Sequence, residues 1–245
     1  MSLDRDKYDS MFSGIIGRDY DLLKQICPLM TEMSRLVGVA VNGYPASTIP
    51  LKVVELGGGT GITTLSLLSS KTDLTVFSID NEPTMQNQAK KHLQPWVDEG
   101  RLAFCTDDAL AALKKLATGS ADIVASAYTL HNFINSYRQD VILEIFRVLK
   151  PGGRFINGDR YTLDDISNHT RHIKEEISAY FKVLIQADKP DLLEQWIVHL
   201  FNDESENHIM RESVALQQLH KAGFTAVNLT DRLSVNALVS ATKPL

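Results

Sequence analysis

Glu55-Leu-Gly57-Gly58-Gly59-Thr-Gly61 is the segment whose residue types and spacing best suit chemistry on a bound ligand. Glycines let the backbone adopt positive φ and bring its N–H groups against a ligand with no Cβ in the way. Val53 and Val54, β-branched and following Pro50, read as a short buried strand ahead of the turn. After it, Ile62, Leu65 and Leu68 recur on one helical face. Strand, glycine turn and helix form the first βα unit of a doubly wound nucleotide-binding fold, with helix N–H groups pointing into the cleft. A dinucleotide loop wants G-x-G-x-x-G, but the position three beyond Gly59 is Ile62. The spacing here is G-x-G-x-G, which disfavours a nicotinamide-dependent oxidoreductase.

Further polar residues fall where strands end. Asp80 closes a second strand, Leu74 to Ile79, about 20 residues past the glycine loop, where α/β nucleotide sites place a carboxylate on the ribose hydroxyls. Because Asn81-Glu82-Pro83 opens the next helix, Asp80 also suits an N-cap. Asp107 and Asp108 follow a third strand, Arg101 to Cys105, and precede Ala109 and a helical run, so each suits an N-cap too. The fourth strand begins at Ala121 and leads to Ser126, Tyr128 and His131, beyond the strand end where open α/β sheets bind ligands. His131 is a candidate general base, or the packed start of a helix. After the strand Arg154 to Asn157, the polar groups of Gly158-Asp159-Arg160-Tyr161 are expected to face the substrate pocket.

The elements that must position these residues are legible in outline. Residues 4–38 are mostly helical by pattern, and Phe12, Arg18 and Tyr20 are candidates to face the cleft if this segment closes over it as a lid. Plain packing of a pre-helix on the sheet fits the same pattern. Residues 38–50 read as a turn-rich connector and 82–98 as one helix. An amphipathic helix from Val141 to Leu149 stops at Lys150-Pro-Gly-Gly153. Residues 163–211 exceed a plain crossover and read as a helical insertion, either a roof over the acceptor or a dimer face. His169, His172 and Glu176 share one face of it, a spacing that could bind metal but that more commonly marks a solvated face, so no metal is expected. A helix from Val214 to Lys221 and two strands, 224–229 and 233–242, complete the chain.

The chain has 245 residues, 44% of them hydrophobic, enough for one large α/β domain. A net charge of −5 without a long basic run does not argue for a nucleic-acid surface. No apolar run is long enough to span a membrane, and the polar start does not resemble a signal peptide. Cys27 and Cys105 fit no C-x-x-C motif and read as buried thiols in a reducing compartment, so a cytoplasmic protein is expected.

The E-x-G-x-G-x-G loop, the acids at 80 and 108, and the run Phe146-Arg-Val-Leu-Lys-Pro-Gly-Gly-Arg-Phe155 together resemble the class I SAM-dependent methyltransferases, in the branch acting on small molecules. The Asn/Asp-Pro-Pro-Tyr motif of nucleic-acid and glutamine amino methyltransferases is absent after the fourth strand. The resemblance covers most of residues 51–242. It implies one α/β domain with a doubly wound, mostly parallel, seven-stranded Rossmann-like sheet ending in an antiparallel hairpin. Residues 1–50 would be a helical lid, 51–162 and 212–245 the core, and 163–211 a helical cap. It further implies S-adenosyl-L-methionine (SAM) as cofactor and S-adenosyl-L-homocysteine as product. Glu55, Gly57, Gly58, Gly59, Gly61, Asp80, Asn81, Met85, Asp107, Asp108, Ala109, Ser126 and Tyr20 are the expected cofactor residues. Asp108 would take the adenine amino group and the Ala109 N–H the ring, with Asp107 as second choice. Tyr128, His131, Arg160 and Tyr161 would orient or deprotonate a small-molecule acceptor, and a homodimer would form through the cap. A closer likeness to carboxy-SAM synthases rests on Ile79-Asp-Asn-Glu-Pro-Thr-Met85 and Arg160-Tyr-Thr-Leu-Asp-Asp165. A synthase of that kind and a non-catalytic SAM-binding protein are the alternatives.

Overall fold

In the central strand β1 (Leu51–Leu56) every residue but Lys52 is buried, as a strand covered on both faces requires. The computed structural model describes residues 24, 26–45 and 49–245. The elements that follow β1 are α2 (Ile62–Ser70), β2 (Leu74–Ile79), α3 (Pro83–His92), α4 (Gln94–Asp98), β3 (Leu102–Cys105), α5 (Ala109–Lys115) and β4 (Ala121–Ala127). Then come α6 (Asn135–Val148), β5 (Leu149–Arg160), α7 (Ile166–Gln186), α8 (Pro190–Asp203), α9 (Glu212–Lys221), β6 (Thr225–Leu233) and β7 (Asn236–Thr242).

The seven strands lie in the order β3-β2-β1-β4-β5-β7-β6. β1 to β5 run parallel, and β7 is antiparallel between β5 and β6. The expected α/β fold with a C-terminal antiparallel hairpin is therefore present. Strand order reverses between β1 and β4, so a crevice opens beyond Leu56 and Ser126, which are paired in register.

Two apolar layers cover the sheet. One packs α1 (Pro28–Asn42) and α2 with Val53, Ile123 and Ile156, and the other packs α6 and α9 with Val54, Val124 and Phe155. Helix α1 runs on through Gly38 to Asn42, so the connector begins later than the sequence reading places it. The reason is packing: a Cβ at Gly38 would lie 2.2 Å from Ser66 Oγ, so the glycine marks a close helix crossing. The 82–98 helix is likewise two helices, interrupted at Leu93.

Helices α7 and α8 lie between β5 and α9. Tyr180 and Leu184 of α7 and Leu193 and Leu200 of α8 pack with Ile26 and Cys27 into a third cluster, separate from the sheet core. Asp165 caps α7 by accepting from the Asn168 N–H, and Asp164 accepts from the backbone and hydroxyl of Ser213. Asp164 thus ties the start of α7 to α9.

Candidate functional site

The glycine loop is anchored to its neighbours before any ligand is considered. Gly57 and Gly58 donate to the Ile79 carbonyl, and the Gly59 N–H donates to Asp80 Oδ2 at 2.7 Å. Gly57 has φ +70, and a Cβ there would fall 1.9 Å from Thr129 Oγ1; one on Gly58 would fall 2.1 Å from Ser78 Oγ. At Gly59 the space is open toward the crevice. The other Asp80 oxygen accepts from the Glu82 N–H at 2.8 Å, while Glu82 itself caps α3. Each Asp80 oxygen keeps a further lone pair for a hydroxyl donor.

Asp108 caps α5 through the Ala111 N–H and accepts from the Tyr137 hydroxyl at 2.8 Å. Asp107 pairs with Lys115 at 2.7 Å. Both aspartates line the cavity with Ala109, Asn81 and Met85. Tyr20 lies outside the described residues, as do Phe12 and Arg18.

Four expected site residues do not line the cavity. Gly61 ends the loop beneath it and packs toward Leu93 and Ala89. Ser126 is fully buried and donates to the Leu56 carbonyl. Tyr161, the residue after β5, is buried in the layer that packs α6 and α9, and its hydroxyl accepts from Asn157. Glu55 is fully buried below the loop, where Thr64 donates to Oε2 at 2.6 Å and Oε1 has no hydrogen-bond partner. Burial pushes the Glu55 carboxyl up to about 7.

At the other end of the crevice, Tyr128 (φ 51) starts the loop that carries His131. The Tyr128 hydroxyl donates to Asn236 Oδ1 at 2.5 Å. Asp159, fully buried at the end of β5, faces His131 Nδ1 at 2.6 Å and accepts from the Leu130 N–H at 2.9 Å. Burial alone would raise Asp159. The charge and hydrogen bond of His131, with donors from Arg160 and Asn157, outweigh it and hold the carboxyl below its usual range. Buried Arg138 supports the same loop from below, donating to the carbonyls of Leu130, Phe133 and His208. With Nδ1 held on a carboxylate, neutral His131 keeps its lone pair on Nε2, toward the cavity.

Arg160 lines the cavity, but its guanidinium is spent on the cap: Glu176 lies at 2.7 Å and Glu204 at 3.3 Å. Burial opposes its charge and Glu176 more than restores it, so Arg160 stays firmly cationic. Glu204 also meets His169 Nε2 at 2.6 Å. His169, His172 and Glu176 therefore go to separate partners and do not converge. Helix α8 instead brings His199 and Asp203 to His131, with Asp203 Oδ2 at 3.7 Å from His199 Nε2 and 3.8 Å from His131 Nε2. Burial raises the Asp203 carboxyl against the pull of His131, His199 and Arg160, and it lowers His199. Cys27, also on the wall, is pushed up to about 12 by burial and is no nucleophile at neutral pH.

One cavity of about 1100 Å³ connects the glycine loop with this cap-covered end. Sequence reasoning missed His199, Asp203 and Asn236, and it expected Asp159 to face the pocket, whereas Asp159 is fully buried behind His131. The i, i+4 spacing of His199 and Asp203 was a signal for one shared helix face, but nothing local pointed that face at His131.

A family model described as a methyltransferase domain matches residues 54–157. A carboxy-S-adenosyl-L-methionine synthase of Shewanella piezotolerans is 22% identical over 204 residues, 77% of this chain and 80% of its own length. An O-methyltransferase family protein from Burkholderia thailandensis superposes with a TM-score of 0.63 at 19% identity, over 99% of this chain and 61% of that one. Human N-acetylserotonin methyltransferase in complex with SAM gives 0.55 at 18% identity, over 91% of this chain and 58% of that one. The chain thus spans about three fifths of these two structures, and at such identities they establish the fold. The open glycine cradle, the Asp80 carboxylate and the size of the cavity all suit an adenosyl sulfonium ligand. Residues 54–157 thus match a methyltransferase domain, and the chain has the fold seen in SAM-dependent methyltransferases.

Proposed function

We propose that the protein transfers a methyl group from SAM to a small-molecule acceptor held beneath α7 and α8. The observation that carries this reading is the size and continuity of the cavity. Bounded by the described residues, it measures about 1100 Å³, above the range of roughly 300–1,000 Å³ typical of one small ligand. Cofactor and acceptor can share it, which a SAM-binding protein without an acceptor would not need.

In this reading Asp80 holds the ribose beside the open space at Gly59, while Asp108 and Ala109 hold the adenine. SAM supplies an electrophilic methyl on a sulfonium and leaves as S-adenosyl-L-homocysteine. The acceptor atom forms the new bond to carbon as the carbon–sulfur bond breaks, and the sulfur keeps the electron pair. His131 Nε2 takes the proton released by the acceptor, while Asp159 fixes the ring and stabilises the imidazolium. Holding the two reactants in line and away from water lowers the barrier by roughly 7–11 kcal/mol.

The wall also favours an acceptor class. Asp203, Glu175 and Glu176 are acidic, Trp196, Tyr180 and Tyr128 aromatic, and Arg160 is the only lysine or arginine among the described lining residues. A neutral or cationic aromatic molecule suits this wall and an anion does not. The same charge pattern counts against a carboxy-SAM synthase, whose product carries an extra carboxylate.

The test is mass spectrometry of the copurified nucleoside, with calorimetric titration of SAM, S-adenosyl-L-homocysteine and NAD. Bound SAM or its demethylated product without NAD binding supports the reading, and phenols and amines are then screened with radiolabelled SAM. Copurified carboxy-SAM would move the protein to the synthase reading. If neither SAM nor S-adenosyl-L-homocysteine bound, the cofactor site would have to be abandoned.

A further inference from the structure

We infer that His131, His199 and Asp203 form a binding site for one divalent first-row transition-metal ion of the zinc class, facing the acceptor end of the cavity. The three side chains come from two distant parts of the chain, the loop after β4 and the last two turns of α8. One ligand atom from each lies within 4.8 Å of the others. The histidine nitrogens stand 3.7 and 3.8 Å from Asp203 Oδ2, too far for hydrogen bonds. They are close to the separation of ligands around an ion, because bonds of about 2.0–2.2 Å in a tetrahedron place ligand atoms about 3.4 Å apart. The two histidine–Asp203 separations exceed this by a few tenths of an ångström, and the His131–His199 pair, within 4.8 Å, closes onto an ion by side-chain rotation of the half-exposed His199.

Three further features suit an ion. Asp203 is 7% exposed, and its Oδ1 has no hydrogen-bond partner. A buried carboxylate in that state is costly unless a cation meets it. Arg160 Nε stands 3.8 Å from Asp203 Oδ2, yet its hydrogen bonds go to Glu176 and Glu204, so it does not satisfy this carboxylate. His131 already has the outer partner that metal-bound histidines use: Asp159 on Nδ1 fixes the ring and leaves Nε2 to the ion. Finally, the protein supplies three ligands, two imidazoles and a carboxylate, and a fourth position opens on the cavity. That is the pattern of catalytic rather than structural zinc sites. An acceptor hydroxyl or amine bound there would be acidified by the ion, which replaces His131 as its activator because both uses need the Nε2 lone pair.

Ion binding stands independently of methyl transfer, and the experiment keeps the two apart. Full-length protein stripped with a chelator is titrated with Zn²⁺ by calorimetry and with Co²⁺ by visible absorbance, and SAM binding is measured on the same samples. One equivalent of Zn²⁺ is expected at roughly micromolar affinity or tighter, with Co²⁺ bands of low-coordinate nitrogen and oxygen ligation. His199→Ala, at a half-exposed position, and Asp203→Asn should each weaken Zn²⁺ by more than about tenfold, and Asp159→Asn by about 10–100-fold, with unchanged circular dichroism. Substoichiometric binding, or binding indifferent to His199→Ala and Asp203→Asn, would overturn the inference. In that event retained SAM affinity would leave the methyltransferase reading standing, whereas metal binding without SAM affinity would do the reverse.

Discussion

Glu55→Gln tests whether the floor of the glycine loop holds a neutral carboxyl. Glu55 is fully buried, accepts one hydroxyl from Thr64 at 2.6 Å, and leaves Oε1 without a partner. Burial moves its carboxyl from 4.5 to about 7. The folded state therefore prefers the protonated form, and the sign follows. Its contribution to stability is complete below pH 4.5, declines as the unfolded chain ionises first, and is gone once the pH passes 7. A displacement of about 2.5 units at 1.36 kcal/mol per unit amounts to about 3 kcal/mol across that window. Glutamine keeps the shape and an acceptor for Thr64 but cannot ionise. Guanidinium unfolding of both proteins, followed by tryptophan fluorescence at pH 5, 6, 7 and 8, isolates the effect as the difference between their free energies. That difference should shift by between 2 and 3 kcal/mol in favour of glutamine on going from pH 5 to pH 8, as an approximate figure. Parallel curves would refute the argument, because an ionised or solvated Glu55 has no reason to resist charging.

Three other outcomes follow from the same geometry. Gly58→Ala places a Cβ 2.1 Å from Ser78 Oγ, so it should cost about 1–3 kcal/mol of stability and weaken SAM; adding Ser78→Ala should recover part of both in thermal melts and calorimetry. Asp80→Ala removes the acceptor of the Gly59 and Glu82 N–H groups and the proposed ribose contact, so the SAM dissociation constant should rise roughly 10–100-fold; unchanged affinity would remove Asp80 from the cofactor site. Val198 and Phe201 are 62% and 69% exposed on α8, and we propose that this apolar face of the cap closes a homodimer. Sedimentation should then show a dimer that Phe201→Asp converts to monomer, and a monomeric parent protein at tens of micromolar would exclude it.

How much of this was legible in the sequence depends on how far each signal reaches. The glycine loop and the strand ends at Asp80 and Asp108 are local patterns, and the structure places them at the expected ends of the sheet. Lys150-Pro-Gly-Gly153, read as a turn ahead of a strand from Arg154, instead lies inside β5 at a shift of register with β4. Errors arose where packing overrode a local sign. Gly38 read as a helix stop, but it is a contact point with Ser66 inside α1. Arg160 and Tyr161 both carry polar groups that suit a pocket wall, but Tyr161, just past the end of β5, turns into the sheet core. Glu55 and Ser126 sit at the right height in the sheet, but both are fully buried and do not line the cavity. The histidines of α7 were weighed for metal because they share a helix face, whereas the set that converges pairs α8 with a loop some 70 residues earlier in the chain. No periodicity records such an encounter.

This division between local and distant signals runs through the site itself. The cofactor half is built from turns at the ends of β1 to β4, where one βα unit after another supplies a loop, an acid and a helix start. The half proposed for the acceptor depends on α7 and α8, because Glu176, Trp196, His199 and Asp203 reach the cavity only when these helices fold back over it. Arg160 ties the halves together, since its ion pairs with Glu176 and Glu204 fix both cap helices to the end of β5. Glu204 adds a second tie through His169. Substitutions in the cap should accordingly alter which acceptor is used and whether an ion binds, while leaving SAM affinity close to that of the parent. Substitutions at Asp80 or Gly58 should do the opposite. Arg160→Ala would test the coupling: by leaving Glu176 and Glu204 unpaired it should loosen the cap first, so that acceptor and metal binding fall before cofactor binding does.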